Sequence, residues 1–293
     1  MNLKHNKIAF LINPEAGTVA SRKQATELIH YLQKNNPKAL YKTRSSEEVS
    51  EITADLAKHN FEAVFGCGGD GTLNLISKQL LGTDTALAMI PLGSGNGFAR
   101  HHSIPLKWNK ALEIIENPQI SKRDTGTING IHFLNIAGIG FAAKISHAFK
   151  GTKRRGLRGY TTTVVRNLRM EPFEAVVSNE NSIWQGETWM VDFCNGSQWG
   201  NNFRVESGAR DDDGTLNAVI FKKMSPVKIP SLGFRFASNT VSKSPDIYRI
   251  SGASFVMEFE GRKPMHVDGE AIGFVSKLAE VHVIPKSLNI WTF

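Results

Sequence analysis

The chain has 293 residues, 41% hydrophobic and 21% charged, which is enough for a sizeable core in one or two domains and fits neither a disordered tail nor a fibre. No apolar run approaches the roughly 18 residues a membrane-spanning helix needs, and the opening MNLKHNKIAFLINPEAG has too short an apolar stretch for a signal peptide. Two cysteines, Cys67 and Cys194, exclude a disulfide framework or a cysteine metal cluster and suit a reducing cytoplasm, while the net charge of +8 leaves nucleic acid, an anionic membrane or plain solubility open.

Ile8–Ile12 is a short apolar run ending in Asn13-Pro14, which predicts a strand and a turn. From Ser21 to Asn35, Ala25, Leu28, Ile29 and Leu32 recur at spacings of three and four, as on one helical face. Ala39–Thr43 reads as a second strand. Ser46 opens a second helix with acids in its first turn, where the helix dipole favours them. Ala63–Phe65 is a third strand running into glycines, Thr72–Leu81 a helix, and Ala86–Ile90 a fourth strand followed by Pro-Leu-Gly and a further short helix. Strands and helices alternating through short connections predict a parallel sheet covered on both faces.

Beyond about residue 120, helical periodicity is scarce apart from Phe141–Phe149. Short segments at His132–Ala137, Trp189–Asn195, Leu216–Phe221, Phe255–Phe259 and Glu280–Ile284 are separated by Gly, Asn, Asp and Pro, as in an antiparallel sandwich or barrel. The expected domains are therefore 1–120 and 121–293, with a last strand that can return to the first. Residues 1–120 carry 13 Lys/Arg against 11 Asp/Glu and residues 121–293 carry 22 against 16, so the positive surplus belongs mainly to the second part.

Gly66-Cys67-Gly68-Gly69-Asp70-Gly71-Thr72 stands between a strand and a helix. Glycines there let the backbone approach a ligand, and amides at a helix start favour phosphate. The plain alternative is a tight turn with Asp70 as a helix cap. Neither a GxxxxGK[ST] loop nor a GxGxxG fingerprint is present. The next strand ends alike, in Pro91-Leu92-Gly93-Ser94-Gly95-Asn96-Gly97-Phe98-Ala99-Arg100. Two such turns at the ends of strands in one sheet would flank one cleft.

GGDGT at 68–72 together with PLGSGNGFAR at 91–100 resembles the diacylglycerol kinase catalytic-domain superfamily, which includes bacterial soluble lipid kinases and diacylglycerol, sphingosine and ceramide kinases. Asn13-Pro14 through Gly17 resembles its first nucleotide loop and Thr43 its second-strand threonine. Asp212-Asp213-Gly214-Thr215-Leu216 is similar to its DDGxL metal loop, and Asp268-Gly269-Glu270 to its late DGE motif. The resemblance implies an α/β fold: a nucleotide-binding domain with a parallel sheet, like those of phosphofructokinases and NAD kinases, then an antiparallel β-sandwich domain, with ATP and the lipid headgroup meeting between them.

The implied activity is ATP-dependent phosphorylation of the hydroxyl of diacylglycerol or a related membrane lipid alcohol. On that likeness Gly68, Gly69, Asp70, Gly71, Thr72 and Asn74 hold the phosphates. Asn13, Thr43, Gly93, Ser94, Gly95 and Asn96 complete the nucleotide site, and Asp70 organises Mg²⁺. Glu270 is the general base and Asp268 its supporting carboxylate, although a bare Asp-Gly-Glu also reads as a hairpin turn. Asp213 is the side-chain ligand of a structural Mg²⁺ site, with Arg210 and Thr215 offering carbonyl oxygens; oxygen ligands suit a hard cation. Three positions depart from the pattern: Gly97 where bacterial members often have Asp, Leu75 where many have Glu, and Asn217 where an acid is common.

An enzyme of this kind is expected to be cytoplasmic and peripherally membrane-associated, with oligomerisation open. Lys150, Lys153, Arg154, Arg155, Arg158, Arg166 and Arg169 form an acid-free stretch that reads as an anionic-membrane patch or as a solubilising face. No recognition-helix or base-stacking motif accompanies these charges, which counts against nucleic acid as a partner. The competing readings are a kinase of a soluble alcohol such as NAD and a non-catalytic nucleotide- or lipid-binding regulator.

Overall fold

The computed structural model describes residues 7–14, 18–35, 40–150 and 171–292. The chain divides into two compact units, Met1–Arg123 with Lys286–Phe293, and Asp124–Pro285.

In the first unit, β1 (Ile8–Ile12), α1 (Val19–Asn35), β2 (Leu40–Lys42), α2 (Ser46–Lys58), β3 (Ala63–Gly68), α3 (Asp70–Leu80) and β4 (Ala86–Pro91) alternate, followed by the short helices α4 (Gly97–His101) and α5 (Trp108–Ala111). β1 pairs in parallel with β2 and β3, and β3 in parallel with β4. Every residue of β1, β3 and β4 is buried, as strands covered on both faces require. α2 starts where its sequence says. The Ser45 hydroxyl accepts from the Glu48 amide at 3.2 Å, and Glu48 reaches back to the Arg44 amide at 2.6 Å, which satisfies donors the first helical turn leaves open. α3 begins at Asp70 rather than Thr72, because extended Gly69 occupies the N-cap and Asp70-Gly71-Thr72 already forms the first turn.

The second unit contains β5 (Gln119–Ile128, within this unit from Asp124), β6 (Ile131–Phe133), β7 (Ile136–Gly140), α6 (Phe141–Lys150), β8 (Phe173–Ser178), β9 (Ile183–Cys194) and β10 (Leu216–Lys222). After these come α7 (Ile229–Ala237), β11 (Ile247–Gly252), β12 (Ser254–Val267) and β13 (Glu270–Thr292). The run His132–Ala137, read from sequence as one strand, is two, split by Leu134-Asn135. Other strands are longer than their apolar segments suggest: β12 has 14 residues and β13 has 23. Exposed polar stretches carry the pairing onward where hydrophobicity gives out. β13 ends inside the first unit, where Ile290 pairs in parallel with Leu87 of β4.

β7 pairs antiparallel with β9 and β12, and β8 pairs antiparallel with the same two strands further along. The four close a ring whose core includes Ala137, Ile139, Val177, Val191, Phe193, Met257 and Val267. The basic segment read between Lys150 and Arg169 falls at residues 151–170 outside the described residues, as does Gly17 of the first loop; Lys150 closes α6. Among the described residues no helix is long and apolar enough to cross a membrane.

Candidate active site

The residues read from sequence as nucleotide ligands collect at the carboxyl ends of successive parallel strands in the first unit. Asn13 follows β1, Thr43 follows β2, Gly68 and Gly69 close β3, and Gly93–Asn96 follow β4. That edge is where open α/β sheets bind ligands.

The two glycine turns are built against each other. The Leu92 and Gly93 amides both donate to the Gly68 carbonyl, at 2.9 and 3.2 Å. A Cβ on Gly93 would lie 2.6 Å from the Gly69 Cα, so only glycine permits this approach of backbones. Asp70 fixes the arrangement: its carboxylate accepts from the Gly97 amide at 3.0 Å and the Phe98 amide at 2.9 Å. The acid in the first turn of α3 thus caps the start of α4, so the cap reading holds for a helix other than its own. It also explains how the chain accommodates Gly97. The backbone N–H at that position is what Asp70 uses.

Two buried polar atoms at this edge have no partner among the described residues. Thr43 is 1% exposed and its Oγ1 is unbonded; Asn96, in the left-handed region at φ 49°, donates through Nδ2 to the Gly93 carbonyl at 2.9 Å while its Oδ1 is unbonded. Buried polar atoms are normally satisfied. A glycine cradle with a hydroxyl and an amide oxygen left over has the chemistry a nucleotide requires. Ser94 is exposed at the tip of the second turn, and the Gly95 carbonyl accepts from Arg100 Nε at 3.1 Å. Asn74 lies in the second turn of α3, with its carbonyl accepting from the Ser77 hydroxyl.

In the second unit, Asp268-Gly269 is the two-residue loop of the β12–β13 hairpin, flanked by the Val267–Glu270 pair, with φ of +48° and +82°. Asp-Gly is the preferred sequence for such a turn. Glu270, the first residue of β13, is exposed and its carboxylate makes no hydrogen bond or ion pair among the described residues. The Asp268 carboxylate is engaged otherwise: it accepts from the amides of Leu134, Asn135 and Ile136 at 2.9, 2.7 and 3.1 Å. The geometry makes Asp268 a clamp on the loop between β6 and β7, a positioning residue two places before Glu270.

The loop from Arg210 to Leu216 is held in part by its own side chains. Asp213 Oδ1 accepts from the amide and hydroxyl of Thr215 at 2.9 and 2.8 Å, and Arg210 Nε donates to Asp212 at 3.0 Å. Asp213 Oδ2 and the main-chain carbonyls of Arg210 and Thr215 are the hard donors an Mg²⁺ would take there. Sequence reasoning missed two supports. Asp124, 2% exposed, accepts from the Gly214 amide at 2.7 Å and so anchors this loop. Asn195 donates to the carbonyls of Asp124 and Leu134 at 2.9 and 2.7 Å, joining the loop's anchor to the segment Asp268 clamps. Asp124 sits in the polar strand QISKRDTGTI and Asn195 just beyond the end of β9, so no local pattern marked either of them.

Another buried pair lies across three neighbouring strands. Asp192 of β9 and His266 of β12 are both paired with Gly138 of β7, and their side chains meet over it at 3.2 Å, with the Trp199 indole donating to the other Asp192 oxygen at 3.1 Å. A Cβ on Gly138 would lie 2.0 Å from Asp192 Oδ1. Burial pushes both thiols up: Cys67 in β3 by desolvation, and Cys194 by desolvation and then by the charges of Asp192 and Glu206.

Comparison with known proteins gives a consistent result. Residues 7–128 match the family model of the diacylglycerol kinase catalytic domain, and residues 136–292 match that of the YegS C-terminal NAD kinase beta sandwich-like domain. The chain is similar to a "Probable lipid kinase YegS" of Salmonella gallinarum, 29% identical over 237 residues covering 78% of this chain and 77% of that one. A "Probable lipid kinase YegS-like" of Enterobacter sp. is 28% identical over 236 residues with the same coverage. Among solved structures, a putative diacylglycerol kinase from Bacillus anthracis superposes with a TM-score of 0.81 at 22% identity, over 99% of this chain and 98% of that one, which establishes the shared fold.

Proposed function

The chain belongs to the diacylglycerol kinase catalytic-domain superfamily, and on that premise we propose that this kinase transfers the γ-phosphoryl group of ATP to the hydroxyl of diacylglycerol or a related membrane lipid alcohol. The observation that carries the reading is the gathering of Asn13, Thr43, Gly68–Gly69 and Gly93–Asn96 at the carboxyl ends of consecutive parallel strands, with Asp70 tying the two glycine turns together.

Phosphoryl transfer asks a protein chiefly for positioning and charge stabilisation. Amides of the Gly68–Asn74 segment cradle the phosphates, the Thr43 hydroxyl donates to or accepts from the nucleotide, and Asn96 Oδ1 accepts from it. Mg²⁺ bound with ATP supplies neutralisation of the polyphosphate charge. The Asp70 carboxylate, fixed by the Gly97 and Phe98 amides, would orient the waters of that ion. Glu270 removes the proton of the lipid hydroxyl. The alkoxide oxygen then bonds to the γ-phosphorus as the bond to the β-bridging oxygen breaks, releasing ADP. Asp268 fixes the turn that presents Glu270. Asp213 and the main-chain carbonyls of Arg210 and Thr215 would hold a structural cation, which would brace their loop.

The test is incubation of the protein with ATP labelled in the γ-phosphate and mixed-lipid vesicles containing diacylglycerol, followed by organic extraction. Label is expected in an organic-soluble product and absent with Glu270→Gln. Label confined to a water-soluble product transfers the assignment to a soluble alcohol, and ATP binding without any transfer makes the protein a regulator.

A further inference from the structure

β10 and β11 are adjacent antiparallel strands, paired from Leu216–Gly252 to Phe221–Ile247. Strands so arranged need only two to five connecting residues. Here the chain makes an excursion from Lys223 to Asp246 that contains a 3-10 turn at Pro226–Lys228, α7, and a second 3-10 turn at Val241–Lys243.

The inner face of α7 is fully accounted for. Leu232 is buried, and Phe236 stacks on Trp199 at 5.2 Å and on Phe221 at 6.2 Å, in a cluster with Met224, Val241 and Ile247. The outer face is the anomaly. A helix lying on a solvated surface carries charged or polar residues outward, whereas this one presents Val227 just ahead of it, 86% exposed, and Phe234, 73% exposed. Pro230, Gly233 and Ala237 are exposed beside them, and Ser231 is the one exposed polar residue in that row.

Charge identifies the occupant. From Gly214 to Pro245 the sequence has no Asp or Glu, while Lys222, Lys223, Lys228, Arg235 and Lys243 fall within it. Lys223 meets Glu187 at 2.6 Å and Lys228 meets Asp246 at 2.8 Å, both on the exposed surface where such pairs hold little. Lys222, Arg235 and Lys243 have no ion pair among the described residues. Exposed aromatic and aliphatic side chains on an excursion that carries cations and, before Asp246, no acid match the interface of an anionic bilayer, where the apolar groups enter the headgroup–acyl boundary and each nearby cation adds attraction. A second copy of the chain fits less well, because a two-fold contact would bring these same cations against one another.

We propose that the outer face of α7, centred on Val227 and Phe234, docks the protein onto anionic phospholipid membranes. The proposal draws on the lipid-kinase reading only for the reason to visit a membrane. The experiment therefore measures binding apart from turnover. Cosedimentation with vesicles of phosphatidylglycerol mixed with phosphatidylcholine, at low salt, compares the intact protein with Val227→Ser/Phe234→Ser and with Arg235→Gln/Lys243→Gln. Each double variant is expected to bind the vesicles roughly tenfold or more weakly. Unchanged thermal unfolding shows that the fold is kept, and activity on a short-chain diacylglycerol dispersed in water should stay at the starting level.

Because Cys67 and Cys194 are buried, Phe234→Cys can be labelled selectively with an environment-sensitive fluorophore. Its emission should shift to the blue on adding the same vesicles. Vesicle binding unaltered by Val227→Ser/Phe234→Ser, or an unmoved emission, overturns the proposal. So does a concentration-dependent dimer that these substitutions disperse without touching vesicle binding. If the starting protein phosphorylates no lipid yet loses vesicle binding on substitution, the docking surface stands and the kinase reading falls.

Discussion

Asp268 occupies the left-handed region at φ +48°, a conformation that only Gly, Asn and Asp adopt at small cost. It also accepts three main-chain hydrogen bonds from Leu134, Asn135 and Ile136. Bonds to an ionised acceptor contribute about 1.5–3 kcal/mol each, and deserted amides cost in their turn. The two demands separate by substitution. Asn keeps the backbone conformation and one acceptor oxygen, so Asp268→Asn should destabilise by about 1–2 kcal/mol, whereas Asp268→Ala loses both and should cost about 3 kcal/mol or more. Urea unfolding measures the order, and equal losses for the two variants would mean that the clamp carries nothing. On the proposed reading, in which Glu270 is the base and residues 68–96 hold ATP, both variants should lower kcat more than they raise KM for ATP, because the bonds of Asp268 hold the turn just before Glu270.

One scale up, the glycine turns act as a unit only because each leaves room for the other. Gly93→Ala sets a Cβ 2.6 Å from the Gly69 Cα and 2.6 Å from Asn96 Oδ1, and the first of these is backbone that has no rotamer with which to yield. The turns must part, and affinity for a fluorescent ATP analogue should fall by about tenfold, the loss expected when a positioned polar contact is displaced. Gly233→Ala in α7 is the control: nothing lies within 4 Å of its added Cβ, so nucleotide affinity should not change. A Gly93→Ala protein with unaltered affinity would separate the second turn from the nucleotide. These elements were legible beforehand because their determinants are local. The acids in the first turn of α2, the apolar spacing of α1 and the glycines after β3 and β4 all act within a few residues. The second unit was harder to read, since β12 and β13 continue through Pro264 and the positive-φ residues Gly261, Gly273 and Lys277, which in sequence look like breaks. α7 was missed for the same reason: Pro230 and Gly233 disguise a helix that tertiary contacts with Trp199 and Phe221 secure. The partners of Asp268 lie more than a hundred residues away, and no pattern along the chain encodes them.

For the molecule as a whole, the decisive feature is that the first unit is assembled from both halves of the sequence order. Residues 286–293 join residues 1–123. Ile290 pairs with Leu87, the Gly82 amide donates to the Ser287 carbonyl at 2.9 Å, and Asn289 Nδ2 donates to the Thr83 carbonyl at 3.1 Å. Leu288 and Ile290 are 1% exposed and Trp291 is fully buried, its indole donating to the Ile114 carbonyl at 3.3 Å and its ring 5.7 Å from that of Phe65. Burying three such side chains contributes roughly 6–8 kcal/mol, which is comparable with the net stability of an ordinary domain. The first unit should therefore be unstable without residues 286–292, however complete its own parallel strands are. A chain ending at Pro285 should fail to bind ATP and should aggregate through the bared edge of β4. Trp291→Ala should cost about 3–5 kcal/mol, while Trp291→Phe should retain most of the packing and lose chiefly the bond to Ile114. Thermal unfolding followed alongside ATP-analogue binding distinguishes the cases, and a chain truncated at Pro285 that still binds nucleotide with undiminished affinity would show that residues 8–115 form a sufficient unit without the returning strand.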